Sequence, residues 1–194
     1  MKDNPNKKIH QKAKAKPTKT LAQRLMTKPV ADRGDEIPHF TTDIQDNHHH
    51  QVVLLYLPVD NKSKYALVVA DVGSRLINAE PLTARDSHAV VEAIAKIYKR
   101  GILKTPNIIT SDQGSEFKAK FKTYCDDNEI FLKYAKPHRH RQVAIVERAN
   151  GRIAKQLFER MIGEEMLTKK KSTQWVAVLK ATVEKLNKLT KKRL

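Results

Sequence analysis

At 194 residues the chain is long enough to enclose one hydrophobic core and too short for several full-sized domains. Its 38 basic and 21 acidic residues leave a net charge of +17, which calls for a polyanionic partner, nucleic acid first; an anionic membrane surface and ribosomal or virion RNA are the plainer alternatives. The lone Cys125 excludes an intrachain disulfide and a cysteine-based zinc site and is compatible with a reducing interior, and no apolar run approaches the roughly 20 residues of a membrane span.

Residues 1–45 are basic and Pro-containing without sustained periodicity, so an extended or disordered tail is expected there; its first 28 residues hold nine basic side chains and one acidic one. The start has no hydrophobic core and is no secretory signal. Residues 46–168 then read as one folded core. Val52 to Leu57 is a continuous apolar run of the kind buried inside a sheet, closed by Pro58, with a turn at Asn61 to Ser63. Tyr65 to Val72 and Leu76 to Leu82 complete a three-stranded meander. Asp86 or Ser87 can cap a helix whose apolar face is Val90, Val91, Ile94, Ile97 and Tyr98. Ile108 and Ile109 begin a fourth strand that ends at Asp112, Phe117, Phe121 and Tyr124 recur at helical spacing, and Ile130 to Tyr134 is a fifth strand. Val143, Val146, Ile153, Leu157 and Phe158 mark one face of a further helix. Residues 169–194 close the chain with a basic amphipathic helix, expected from Ser172 onward. Trp175, Val176, Leu179, Val183 and Leu186 line its apolar face, and Lys180, Lys185, Lys188, Lys191, Lys192 and Arg193 the other.

Within this order two carboxylates stand out. Asp112, in IITSDQGSEF, follows a β-type run and precedes Gly114, which lets the chain turn sharply. Glu147, in HRHRQVAIVERAN, projects from the amphipathic helix with 34 residues between it and Asp112. A strand end and a helix can converge on one ion, and hard divalent cations such as Mg2+ take carboxylate oxygens; two such ions roughly 4 Å apart can activate an attacking oxygen and steady a leaving one.

These motifs resemble the catalytic core of the retroviral-integrase superfamily, with its DDE signature of Asp, Asp, about 35 residues, then Glu. The likeness runs nearest to the integrases of Polinton/Maverick elements and large DNA viruses. It is carried by QVVLLYLPVDNKSKYALVVADVGSRLINAEPL (51–82), SDQGSEF (111–117), RHRQVAIVERAN (139–150) and QWVAVLKATVEKLN (174–187). The resemblance implies an α/β, ribonuclease-H-like fold: a five-stranded mixed sheet flanked by helices. It implies DNA as partner, with RNA the alternative, Mg2+ or Mn2+ held by Asp112 and Glu147, a homo-oligomer or larger nucleoprotein assembly, and a place in the nucleus, a virion or a viral factory.

The resemblance also exposes a departure. The first strand of those relatives reads like Gln-x-Asp-Leu-Leu-x-x-Pro, which lands the first catalytic Asp on position 53, here Val53. Asp60 is seven residues on, an odd step that should turn it to the other face, ~23 Å away at about 3.3 Å per residue. Asp43 and Asp46 precede the strand, and Asp71 matches a non-catalytic Asp of the family. Catalysis by this chain alone is therefore expected to be impaired. Lys136, Arg139, Arg141 and Gln142 stand just before the Glu147 helix, where the family carries a loop that positions DNA ends, and basic side chains there would hold phosphates. Asn150 shares Glu147's helix face and would contact DNA or orient the carboxylate, with Lys155 further along. Glu116 reads as a helix-start residue beside the site. His48, His49 and His50 are consecutive in an extended segment, alternate in direction and chelate poorly, so a solvated or packing role is expected. Cys125, beside Asp126 and Asp127, is not an activated thiol.

Overall fold

The computed structural model describes residues 45–136 and 140–192, the side chains of His140 and Arg141 excepted. The basic tail expected over 1–45, its final position aside, lies outside the described residues, as do Asp43, His138, Arg139 and Arg193.

Three antiparallel strands come first: β1 (His49–Asp60), β2 (Ser63–Asp71) and β3 (Ile77–Leu82). The β1–β2 turn places Asn61 and Lys62 at φ 49° and 68°, the left-handed pair whose twist matches that of the flanking strands. Pro58 does not end β1 as the sequence suggested. The register breaks between Tyr56 and Asp60, and at such an irregularity a residue without an N–H forfeits no ladder bond. Two short parallel strands follow, β4 (Ile108–Ser111) and β5 (Phe131–Tyr134), giving a mixed sheet in the order β3-β2-β1-β4-β5 with β1 at its centre.

Four α-helices among the described residues cover the two faces: α1 (Ser87–Lys99), α2 (Lys120–Asp127), α3 (Ala144–Thr168) and α4 (Val176–Lys191). Strand alternation sorts the core into two layers. Leu67 and Val69 of β2 pack with Val90, Ile94 and Ile97 of α1 and Phe121 of α2. Ala66, Val68 and Ala70 point the other way, where Ile153, Leu157 and Met161 of α3 and Leu179 and Val183 of α4 fill the space that the alanines leave. The sheet order and the helices on both faces are those of the ribonuclease-H-like architecture.

Helix α4 begins at Val176, later than Ser172, because its entry is fixed from outside. The Asp60 carboxylate accepts the N–H groups of Trp175 (2.8 Å) and Val176 (2.7 Å), while the buried Trp175 indole donates to the Pro58 carbonyl at 2.7 Å. Helix N-termini leave such N–H groups without partners of their own. Asp60 was expected to face away from residue 53. It reaches instead toward the layer that holds Val53, since the register break resets the alternation. At the far end of α4, Asn187 clamps the open edge of β3, accepting from Ile77 N–H at 2.9 Å and donating to its carbonyl at 2.8 Å.

Two of the three consecutive histidines are packing elements. His49 Nε2 lies 2.8 Å from Thr110 Oγ1. The fully buried His50 sits between Tyr98 OH (3.2 Å from Nδ1) and Asp71 (3.7 Å from Nε2). Burial pushes the His50 imidazole down to about 4. Burial likewise pushes the Cys125 thiol up to about 12, in keeping with an inert core cysteine.

Candidate metal and nucleic-acid site

The site is built where β1 and β4 run side by side. Their parallel register pairs Gln51 with Thr110 and Val52 with Ser111, so one step further Val53 and Asp112 are neighbours. Val53 is buried, in the apolar layer that also contains Ala135, Val143, Val146 and Ala149. Asp112 leaves β4 at the surface, and its Oδ1 accepts the Gly114 N–H at 2.9 Å, which fixes the turn. Packing around Asp112 raises its pKa above the ordinary carboxylate value; the Gly114 hydrogen bond opposes this, the charge of Glu116 adds to it, and Arg85 opposes it.

Glu116, in the 3-10 turn Ser115–Phe117, is only 2% exposed. Its Oε1 accepts a 2.9 Å bond from Arg85 Nε, and its Oε2 is buried without a hydrogen-bond partner. The carboxylate lies so close to Gly114 that a Cβ there would stand 2.5 Å from Oε2. Gly114 is therefore needed for close approach, and its φ of −57° asks for no left-handed backbone.

Glu147 is exposed in the first turn of α3, where the helix dipole favours an acid. What holds that turn in place is Gln51. Its Oε1 accepts the N–H groups of Ile145 (3.0 Å) and Val146 (3.1 Å), and its Nε2 donates to the Gln142 carbonyl at 2.9 Å. A buried amide on β1, two residues before Val53 and across from Thr110, thus docks the helix that carries Glu147 onto the strand pair that carries Asp112. Positions 53, 112 and 147 are brought to the same end of the β1–β4 pair.

Of the residues read as nucleic-acid contacts, Lys136 is exposed and its N–H donates to Gln142 Oε1 at 2.7 Å, so Gln142 closes the segment before α3. Asn150 is half-buried one turn beyond Glu147, with Oδ1 enclosed and unpartnered. Lys155 is exposed further along α3 and pairs with Glu159 at 3.8 Å. Arg139 and the side chain of Arg141 lie outside the described residues. Among the described residues no group of three His, Cys, Asp or Glu side chains is arranged to hold a metal ion, and no helix is long and apolar enough to cross a membrane. Asp60 and Asp71 are engaged elsewhere, the one at α4 and the other with Ser74 and His50.

A family model described as the integrase core domain matches residues 44–140, half of the chain. The chain belongs to that family. Glu147 lies seven residues beyond the matched segment. Among solved structures, this integrase core is similar to a chain of a simian T-cell lymphotropic virus intasome at 18% identity and a TM-score of 0.63, covering 75% of this chain and 50% of that one. It therefore spans half the length of that relative. It is also similar to the magnesium-bound catalytic core of HTLV-2 integrase. The dimeric form gives 21% identity and a TM-score of 0.51 over 62% of this chain and 75% of that one. The trimeric form gives 20% identity and 0.51 over 72% and 82%. At these identities the likeness concerns the fold. No curated protein matches the chain by sequence.

Two residues of this integrase core's site were not singled out from the sequence. Gln51 had a usable signal, a polar side chain opening a buried apolar run, which must find partners. Arg85 had none, since its bond to Glu116 spans 31 residues and two intervening elements.

Proposed function

We propose that this integrase core binds DNA through its phosphates and lacks the donor set for metal-assisted strand transfer, so that alone it neither processes DNA ends nor joins them. The observation that carries the reading is Val53: in register beside Asp112, at the position that the family's first Asp would take, stands a buried side chain with no donor atom. Asp112 and Glu147 suit one Mg2+ or Mn2+ ion, held weakly. A second ion needs a bridging oxygen that a valine cannot supply. When bound, such an ion would steady charge on a phosphodiester; Gln51 and Gly114 hold the turns from which the two carboxylates project.

The charge of +17 supports polyphosphate binding, and the four sequence blocks support descent near the Polinton/Maverick integrases. The protein then acts as a DNA-binding member of a homo-oligomer or larger nucleoprotein assembly, in a nucleus, virion or viral factory. The alternative, an active end-processing and strand-transfer enzyme, is favoured by the presence of both Asp112 and Glu147. Calorimetric Mn2+ titration of the full chain and of Val53→Asp separates the two. Weak binding that tightens in Val53→Asp supports the proposal. Tight binding by the unaltered chain, unchanged by the substitution, overturns it.

A further inference from the structure

Arg85 sits in the connection between β3 and α1, and three features of its setting belong together. Its Nε is bonded to Glu116, which is buried and cannot follow a moving partner. Its guanidinium lies over the Tyr56 ring at 5.8 Å from the centroid, and Tyr56 is itself braced edge-on by Tyr65 at 5.2 Å. Its side chain is nevertheless 44% exposed, beside the turn that carries Asp112. An arginine paired with a carboxylate frequently engages both oxygens with two parallel N–H bonds, the geometry that the two groups share. Here only Nε is used, and Oε2 has no partner. The guanidinium is held by one edge and one face, which leaves Nη1 and Nη2, the pair that matches two oxygens of a phosphodiester.

We infer that Arg85, braced by Glu116 and Tyr56, is a phosphate-binding residue that holds a DNA backbone phosphate beside Asp112. The inference rests on the DNA-binding reading above and deepens it by naming an anchor outside the basic segments at 136–142 and the chain ends. Fixing the guanidinium beforehand removes most of the rotamer entropy that a surface arginine loses on binding. The ordering is thus built into the fold, whereas the many surface lysines must be ordered by the nucleic acid itself.

The test compares full-length chains by fluorescence anisotropy on a short duplex DNA across a salt series. The decisive variant is the double substitution Arg85→Gln with Glu116→Gln. It removes one positive and one negative charge, so the net charge stays +17, and it leaves no unpaired buried carboxylate to unfold the protein. The expected result is a loss of about tenfold in affinity and a fall of about 0.9 in the slope of log affinity against log salt, as one phosphate contact is lost. Lys122→Gln, on the outer face of α2, serves as the control and should leave the slope within error of the parent. A double variant that keeps the parental slope and affinity overturns the inference while the DNA-binding reading stands. A parent chain that fails to bind duplex DNA at low salt overturns both.

Discussion

Asp112 stands between two unlike neighbourhoods. On one side are Val53 and an apolar layer of Ala135, Val143, Val146 and Ala149, beside which the buried amide of Gln51 is spent on backbone groups of α3. On its other side are the buried carboxylate of Glu116, the guanidinium of Arg85 and the ring of Tyr56. Charge stands on the flank where it is paired and is absent from the flank where, on the proposed reading, only a metal would balance it. An unpaired buried carboxylate is among the most destabilising groups a core can hold, so an Asp at position 53 would weigh against the metal-free fold where a valine does not. The same penalty does not reach Glu116, whose partner comes from its own chain.

The sharpest way to break this contrast is to put charge back on the apolar flank. Val53→Asp should destabilise the metal-free protein by about 2–4 kcal/mol in chemical denaturation, with much of the loss recovered on adding Mn2+. Val53→Asn, which lacks the charge, should show no such recovery. If Val53→Asp were as stable as the parent without metal, the flank around Val53 would not be the apolar environment described. Gln51→Ala should cost about 3 kcal/mol, because three hydrogen bonds that dock α3 are lost inside a buried setting.

The charged flank makes a smaller prediction. Gly114→Ala should cost about 1–3 kcal/mol by forcing a Cβ against the Glu116 carboxylate. The cost should drop in a Glu116→Ala background, since contacting residues couple in a double-mutant cycle. Equal costs in the two backgrounds would show that the glycine answers to the backbone and not to Glu116. The smallest effect concerns Asp112. Its pKa is raised in the fold, first because packing removes part of the water around the surface carboxylate, so the folded state holds its proton more tightly than the unfolded chain does. The charged form therefore lowers stability at neutral pH, and that penalty fades as pH falls through the raised value toward the ordinary carboxylate range. Asp112→Asn should accordingly be slightly more stable than the parent at pH 7 and equal to it at about pH 3. A gain that grew on acidification would reverse the assigned sign.

Much of this architecture was legible in the residues because each strand and helix carried its own period. The β1–β3 meander, the α1 cap at Asp86 and the short β4 leading to Asp112 follow from apolar runs and capping chemistry that act over a few positions. The departures came where distant segments decide. Pro58 remains inside β1 and α4 starts at Val176 because Trp175 and Asp60, more than a hundred residues apart, fix each other. The same division holds at the site. Asp112 and Glu147 are proposed from local context and spacing, and Val53 from the strand motif of the family it resembles. The Arg85–Glu116 bond and the Gln51 dock are tertiary and leave only faint local marks.

On the proposed reading, position 53 withholds a donor that strand transfer requires. The most direct test is a Mn2+-dependent strand-transfer assay on the full chain, purified away from host nucleases, with Asp112→Asn run in parallel. No joined product above background is expected in either sample. Robust Mn2+-dependent joining by the parent that disappears in Asp112→Asn would mean that another group completes the site.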